Sequence, residues 1–134
     1  MKTSFAKKFL FDEKFFLYFE VTDFCTRLRK NNKRLLISDK IRFHHFHSKS
    51  VEKKYEYIAK LTKAWHFNWS KFYYLSKHKN YFYALYKIKN NFFSAIKKLL
   101  VNFLKLRFKE CYINLIEIYG IIFSICMLKA SYRP

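Results

Sequence analysis

One glycine and one proline stand in 134 residues, Gly120 and Pro134. Glycine and proline are the residues that most often interrupt regular structure, so a chain this poor in both can run in long helices. Aromatic residues make up 22% of the sequence. That content separates it from disordered chains, which are poor in aromatics. The length allows one domain at most.

Hydrophobic periodicity supports the helical expectation over most of the chain. Tyr55, Ile58, Leu61, Trp65, Trp69 and Phe72 follow at three- and four-residue steps, which predicts an amphipathic helix of about six turns. Ser50 is a candidate N-cap for it, with Glu52 in the first turn. Tyr81, Leu85, Ile88, Phe92, Ile96, Leu99 and Phe103 repeat the pattern, with Asn90-Asn91 as a place to bend or break. Ile113 to Leu128 predicts a third, more apolar helix. Such stripes suit ordinary core packing, and they also suit helices lying in a membrane interface, where Tyr and Trp sit at headgroup level. Trp65, Trp69, Tyr73, Tyr74, Tyr81 and Tyr83 are the candidates for that second role. The apolar run Ile118 to Leu128 is shorter than the roughly 20 residues of a membrane span.

The character changes near Ser50. Upstream, the elements are short. Glu20 to Lys30 reads as a helix that Thr22 or Asp23 can cap and Asn31-Asn32 can end. Phe15 to Phe19 suits a short strand or a buried loop. Arg34 to Ile37 and Ile41 to Phe46 read as short strands.

Charge narrows the partners. Lys and Arg number 28 against 9 Asp and Glu, a net charge of +19. A basic surface attracts nucleic acid, anionic lipid headgroups or diphosphate groups. The basic residues are spread over the whole chain and no RNA-binding signature is present, which argues against nucleic acid. Cys25, Cys111 and Cys126 form no CxxC pair, so they read as reduced, mostly buried thiols rather than a zinc ribbon. No secretory signal is evident, because Asp12, Glu13 and Lys14 cut the only early apolar run.

Acidic residues are scarce, so their clustering carries information. Asp12, Glu13, Glu20 and Asp23 are four of the nine. Glu20 and Asp23 are three apart, which places both carboxylates on one side of a helix start. That pairing suits acid–base or metal chemistry, and it also suits a helix N-terminus, where acids complement the dipole. His44, His45 and His47 form a second cluster, with His45 and His47 on one face if the segment is a strand. Imidazoles there can ligate a metal or bond a phosphate.

The run from Phe11 to Leu28, FDEKFFLYFEVTDFCTRL, resembles a signature of family 2 glycosyltransferases of the rhamnosyltransferase-like kind, F-D-E-x-F-F-x-Y-x-E-D-x-D-x-C-x-R followed by an apolar residue. Every specified position matches except one, where Val21 stands in place of Asp. The segment Phe43 to Ser50, with His45, and the tail Ala130 to Pro134 resemble later parts of such enzymes more loosely.

The resemblance implies a GT-A fold. It makes residues 1–50 an α/β remnant, the acceptor side of a catalytic domain, and 51–134 a basic, aromatic helical region, so that the whole is predominantly helical. It implies transfer of a sugar from a nucleotide-sugar to a glycan or lipid-linked acceptor in cell-surface polysaccharide synthesis. It implies a divalent metal, Mg or Mn, in the full-length family, and work at the inner face of the cytoplasmic membrane. By resemblance, Glu20 and Asp23 are the candidate catalytic residues. Asp12, Glu13, Tyr18, Arg27 and His45 are the candidates for substrate contact, and His45 is also the candidate metal ligand. The family's catalytic Asp is replaced by Val21, which cannot take a proton, and no D-x-D donor motif is present. The chain by itself is therefore expected to lack nucleotide-sugar binding and transfer. The alternative is a non-enzymatic basic protein that binds a membrane surface or nucleic acid.

Overall fold

The computed structural model describes residues 9–36, 40, 51–130 and 132. Four helices occur among them: α1 (Glu20–Lys30), α2 (Glu56–His78), α3 (Tyr81–Leu104) and α4 (Phe108–Ile125). A single 3-10 turn, Lys53–Tyr55, leads into α2. Helices α2, α3 and α4 pack on one another in all three pairings, and α1 lies against α2 through side chains.

The α/β expectation is corrected here, since no strand occurs among the described residues. Phe15 to Phe19 is irregular backbone that closes with two consecutive left-handed residues, Tyr18 (φ 68°) and Phe19 (φ 66°). Residues 33–36 are irregular and exposed. The proposed strand Ile41 to Phe46 and the N-cap Ser50 lie outside the described residues. The physical reason is partnership. A strand needs a neighbour for its backbone groups, and here the aromatic side chains instead pack sideways onto α2. Phe15 meets Tyr73 at 4.9 Å and Phe19 meets Tyr74 at 5.4 Å, centroid to centroid.

The core has two parts. Leu61, Trp65, Trp69 and Ile116 form one, between α2 and α4. Phe72, Ala84, Ile88 and Ile121 form the other, where α2, α3 and α4 meet. Trp65 and Trp69 are buried, with Trp69 donating its indole N–H to the Leu128 carbonyl at 2.9 Å. These two rings are core, not interface anchors. Tyr73 and Tyr74 are half-buried, and Tyr81 and Tyr83 stand at the surface.

The boundaries follow from local chemistry. Helix α1 carries Glu20 and Asp23 in its first turn and Arg27, Arg29 and Lys30 in its last, matching the dipole at both ends. Phe19 stands at its N-cap, and neither Thr22 nor Asp23 caps it. A two-residue turn joins α2 to α3, and Asn80 caps α3 by accepting from the Tyr83 N–H at 2.7 Å. With almost no glycine available, helices end on other left-handed residues. Asn32, Leu106 and Met127 have φ of 56°, 54° and 55°. Each is followed by an N–H that reaches back five residues, as in Lys33 to the Leu28 carbonyl at 3.0 Å.

Asn90-Asn91 does not break α3. Asn91 points at α2 instead, donating to Asn68 Oδ1 at 2.8 Å and accepting from Lys71 Nζ at 3.0 Å. Burial, with help from the Lys87 charge, lowers the Lys71 pKa. An Asn91→Ala variant leaves Lys71 and Asn68 without these partners and should lose about 1 kcal/mol. Urea unfolding followed by circular dichroism checks this, and a midpoint unchanged from the parent would contradict it.

Candidate functional site

Two of the four acids singled out in the sequence, Asp12 and Asp23, come together on the α1-facing side of the α2 C-terminal half. Asp23, on α1, is completely buried. Its Oδ2 accepts from Arg27 Nε at 2.8 Å. Its Oδ1 accepts from Lys77 Nζ at 2.7 Å and from His78 Nε2 at 2.8 Å. Lys77 also reaches Asp12 Oδ2 at 2.7 Å, so its ammonium bridges the two carboxylates. Tyr73 donates its hydroxyl to the same Asp12 oxygen at 2.9 Å, and the Lys14 N–H donates to Asp12 Oδ1 at 3.0 Å.

Burial pushes the Asp23 carboxyl upward, but the bonds from Lys77, Arg27 and His78 outweigh it and hold the group below its ordinary 3.8. Asp12 behaves likewise, with burial opposed by Lys77, the Lys14 N–H and Tyr73. The Tyr73 hydroxyl is pushed well above its ordinary 10, first by burial and then by its bond to Asp12. The two carboxylates therefore stay ionised and paired. Their plain physical effect is to clamp the segment 12–27 onto α2.

The remaining candidates fall into different settings. Arg27 spans from Asp23 to the Leu10 carbonyl, which Nη2 meets at 2.6 Å. Tyr18 packs edge-on against Phe67 at 5.5 Å. Its hydroxyl pKa is raised by burial and by the nearby Glu20 charge. Glu20 thus has a buried oxygen, Oε2, without a hydrogen-bond partner among the described residues, unlike Asp12 and Asp23. Glu13 is exposed. Val21 is also exposed, at the position where the resembling pattern has its Asp. His45, together with His44 and His47, lies outside the described residues.

Among the described residues no group of three or more His, Cys, Asp or Glu side chains is placed to hold a metal. The chemistry of the cluster agrees. Between Asp12 and Asp23, where a divalent cation could bridge two carboxylates, the Lys77 ammonium already does so. These residues do not fit a metal, and the metal that the resemblance implies has no site in them.

Beside the cluster opens a groove of about 600 Å³. One wall is the irregular segment, with Glu13, Lys14, Phe15 and Phe16. The other is α2, with Trp69 and Tyr73. The floor runs along the end of α4 and the segment after it, through Ser124 and residues 127–130. Lys14 stands over the Tyr73 ring at 5.6 Å. The wall is held by Ser70, which donates to the Leu17 carbonyl at 2.8 Å, and by Phe16 against His66 at 4.7 Å. Two adjacent left-handed aromatic residues, Tyr18 and Phe19, close this wall. Such backbone persists only where the surroundings over-determine it, and it concentrates at binding sites.

Lys77 and His78 were not singled out in the sequence. Their signal was indirect. With nine acids among so many bases, a carboxylate on a helix that packs against another must meet cations there. Which cations it met required the register of α1 on α2. The cysteines divide, with Cys111 buried, Cys25 half-buried and Cys126 exposed. Among the described residues no helix is long and apolar enough to cross a membrane. Comparison with protein-family models, with curated proteins and with solved structures finds no match.

Proposed function

We propose that the chain is the acceptor-side part of a family 2-like sugar transferase, and that the groove between residues 13–16 and α2 holds a saccharide of the acceptor. The observation that carries this is the identity of the wall. Glu13, Lys14, Phe15 and Phe16 belong to the run that resembles the glycosyltransferase signature, and they line the groove with Trp69 and Tyr73. Aromatic faces suit the C–H faces of sugar rings. A carboxylate and an ammonium at the rim suit hydroxyl groups. A concave, mainly apolar site with a few polar groups is the usual form of a small-molecule site.

Transfer itself needs a base at the acceptor hydroxyl. Val21 cannot serve, and Asp12 and Asp23 are occupied by cations. Glu20 has an oxygen without a hydrogen-bond partner among the described residues, but it does not line the groove. The chain is accordingly proposed to bind acceptor, with donor binding and group transfer left to other protein.

Saturation-transfer NMR on the full chain tests the reading. The probes are di- and trisaccharides of deoxyhexoses, hexoses and N-acetylhexosamines. Saturable binding is expected for at least one class, with transfer strongest to ring C–H protons. Phe16→Ala should weaken it about fivefold, the ~1 kcal/mol that one aromatic face contributes. Phe16 is half-exposed, so the variant should fold. Absence of binding across the panel, or unchanged binding in the variant, sinks the proposal.

A further inference from the structure

The outer faces of α3 and α4 are rich in uncovered apolar side chains, with lysines among those of α3. On α3, Phe82, Tyr86, Phe93, Leu100 and Leu104 recur at steps of four and seven residues and share one side of the helix, with the exposed Lys89 and Lys97 set among them on that side. That side is opposite the buried Ala84, Ile88 and Ala95. Phe82 is 80% exposed and Leu104 82%. On α4, Phe108, Tyr112, Leu115, Tyr119 and Ile122 make a second outward stripe by the same spacing, each of them exposed. The stripes join at both ends. Leu106, 71% exposed, caps the α3–α4 turn beside Phe108. Near the other end a shallow groove of about 310 Å³ runs between the helices, lined by Lys89, Phe92, Phe93, Ile122, Ile125 and Cys126 among others. So many exposed large apolar side chains gathered on one hairpin mark an interaction site.

Charge decides what covers it. The hairpin 81–125 carries seven basic residues and two acidic ones. Lys97, Lys98, Lys105, Arg107 and Lys109 gather around its turn, and Glu117, one of the two acids, is 3.7 Å from Lys98. A second copy of the chain would bring another +19 against the same face. Nucleic acid could stack on the aromatic members of the face, but it would leave the exposed Leu100, Leu104, Leu106, Leu115 and Ile122 against phosphate and water. A bilayer with anionic headgroups satisfies both components at once. The apolar stripe enters the headgroup–acyl boundary, and the lysines meet phosphate above it. We propose that the α3–α4 hairpin is a membrane-docking face that lies flat on an anionic lipid surface, led by the turn at Leu104–Phe108.

This inference is independent of the saccharide reading, because the two surfaces share no residue that lines or leads them. It also relocates the expected interface from Trp65 and Trp69, which are buried, to side chains that the sequence stripe did not include.

The experiment is flotation of the full chain with phosphatidylcholine vesicles, with and without phosphatidylglycerol, at low and high salt. Strong binding is expected with phosphatidylglycerol at low salt. A residue of binding should survive high salt, because apolar insertion is not screened. The double variant Leu100→Glu/Leu104→Glu should lose at least about tenfold in partitioning. Both sites are exposed, and an unchanged thermal melt confirms that the variant folds. The triple variant Lys97→Gln/Lys105→Gln/Arg107→Gln should lose about a hundredfold at low salt and little at high salt, since each basic residue contributes about fivefold at an anionic surface. No flotation with either vesicle, or flotation of the double variant equal to the parent, overturns the proposal. So does a stable dimer by light scattering that the double variant dissociates, since the face would then belong to a second copy.

Discussion

Asp23→Ala destabilises the fold by about 3 kcal/mol, the lower part of the range for breaking a buried ion pair from one side. The loss arises from what remains. Arg27, Lys77 and His78 converge within 2.8 Å of the Asp23 oxygens, and removal of the carboxylate leaves their donors without that acceptor. Lys77 and Arg27 keep some contact with water, which allows partial rehydration and keeps the loss from the top of the range. Urea midpoints by circular dichroism measure the effect, and a loss below about 1 kcal/mol would show that the cluster is not what holds α1 on α2. Because the same cluster fixes the groove wall, saccharide binding should fall with it.

The cluster also sets an acid limit. The Asp12 and Asp23 carboxyls have folded pKa values below the ordinary 3.8. A depressed carboxyl contributes stability that is fully present above its unfolded pKa and is lost as pH falls through the folded value. Stability should therefore hold down to about pH 4 to 5 and decline below it. In Asp23→Ala the decline should be shallower, since one of the two depressed groups is gone. An equal slope in both proteins would contradict the assignment.

Gly120→Ala should cost about 2 kcal/mol, although the same change at an exposed helix position stabilises by up to about 1 kcal/mol. A Cβ at Gly120 would stand 2.6 Å from the Trp65 carbonyl oxygen, 3.0 Å from its Cα and 3.2 Å from its carbonyl carbon. All three are backbone atoms of α2, so no side chain can rotate away. Relief requires α4 to move off α2, which opens the core around Trp65 and Ile116. The sign is the test. A raised melting temperature in Gly120→Ala would mean that the two helices are not in this contact. Larger residues at 120 should fail to fold.

Much of the secondary structure was legible in the sequence. The helix Glu20–Lys30 follows from its charges and the Asn pair behind it, and α2 and α3 follow from their stripes. The apolar run that predicted Ile113 to Leu128 belongs to a helix that starts five residues earlier and ends three earlier. Phe15 to Phe19 suited either a strand or a buried loop, because an aromatic run reports a side chain's wish for burial, not the partner that provides it. Phe15 to Phe19 found that partner in α2. The acid cluster was legible as a cluster, but its cations were not. Lys77 and His78 are more than 50 residues away in sequence, and only the packing of α1 on α2 brings them to Asp23.

By itself the sequence determined a helical chain with a strong positive charge and a local gathering of carboxylates. Those are properties of composition and of nearest neighbours along one helix, where spacing alone places side chains on a face. Tertiary structure decided which stripe became core and which stayed outside. Trp65 and Trp69 are as aromatic as Phe82 and Phe93, yet α4 covers the first pair and nothing covers the second among the described residues. It also decided the use of the one glycine. Gly120 ends no helix, and it stands where two backbones must touch, a requirement that exists only once α2 and α4 have found each other.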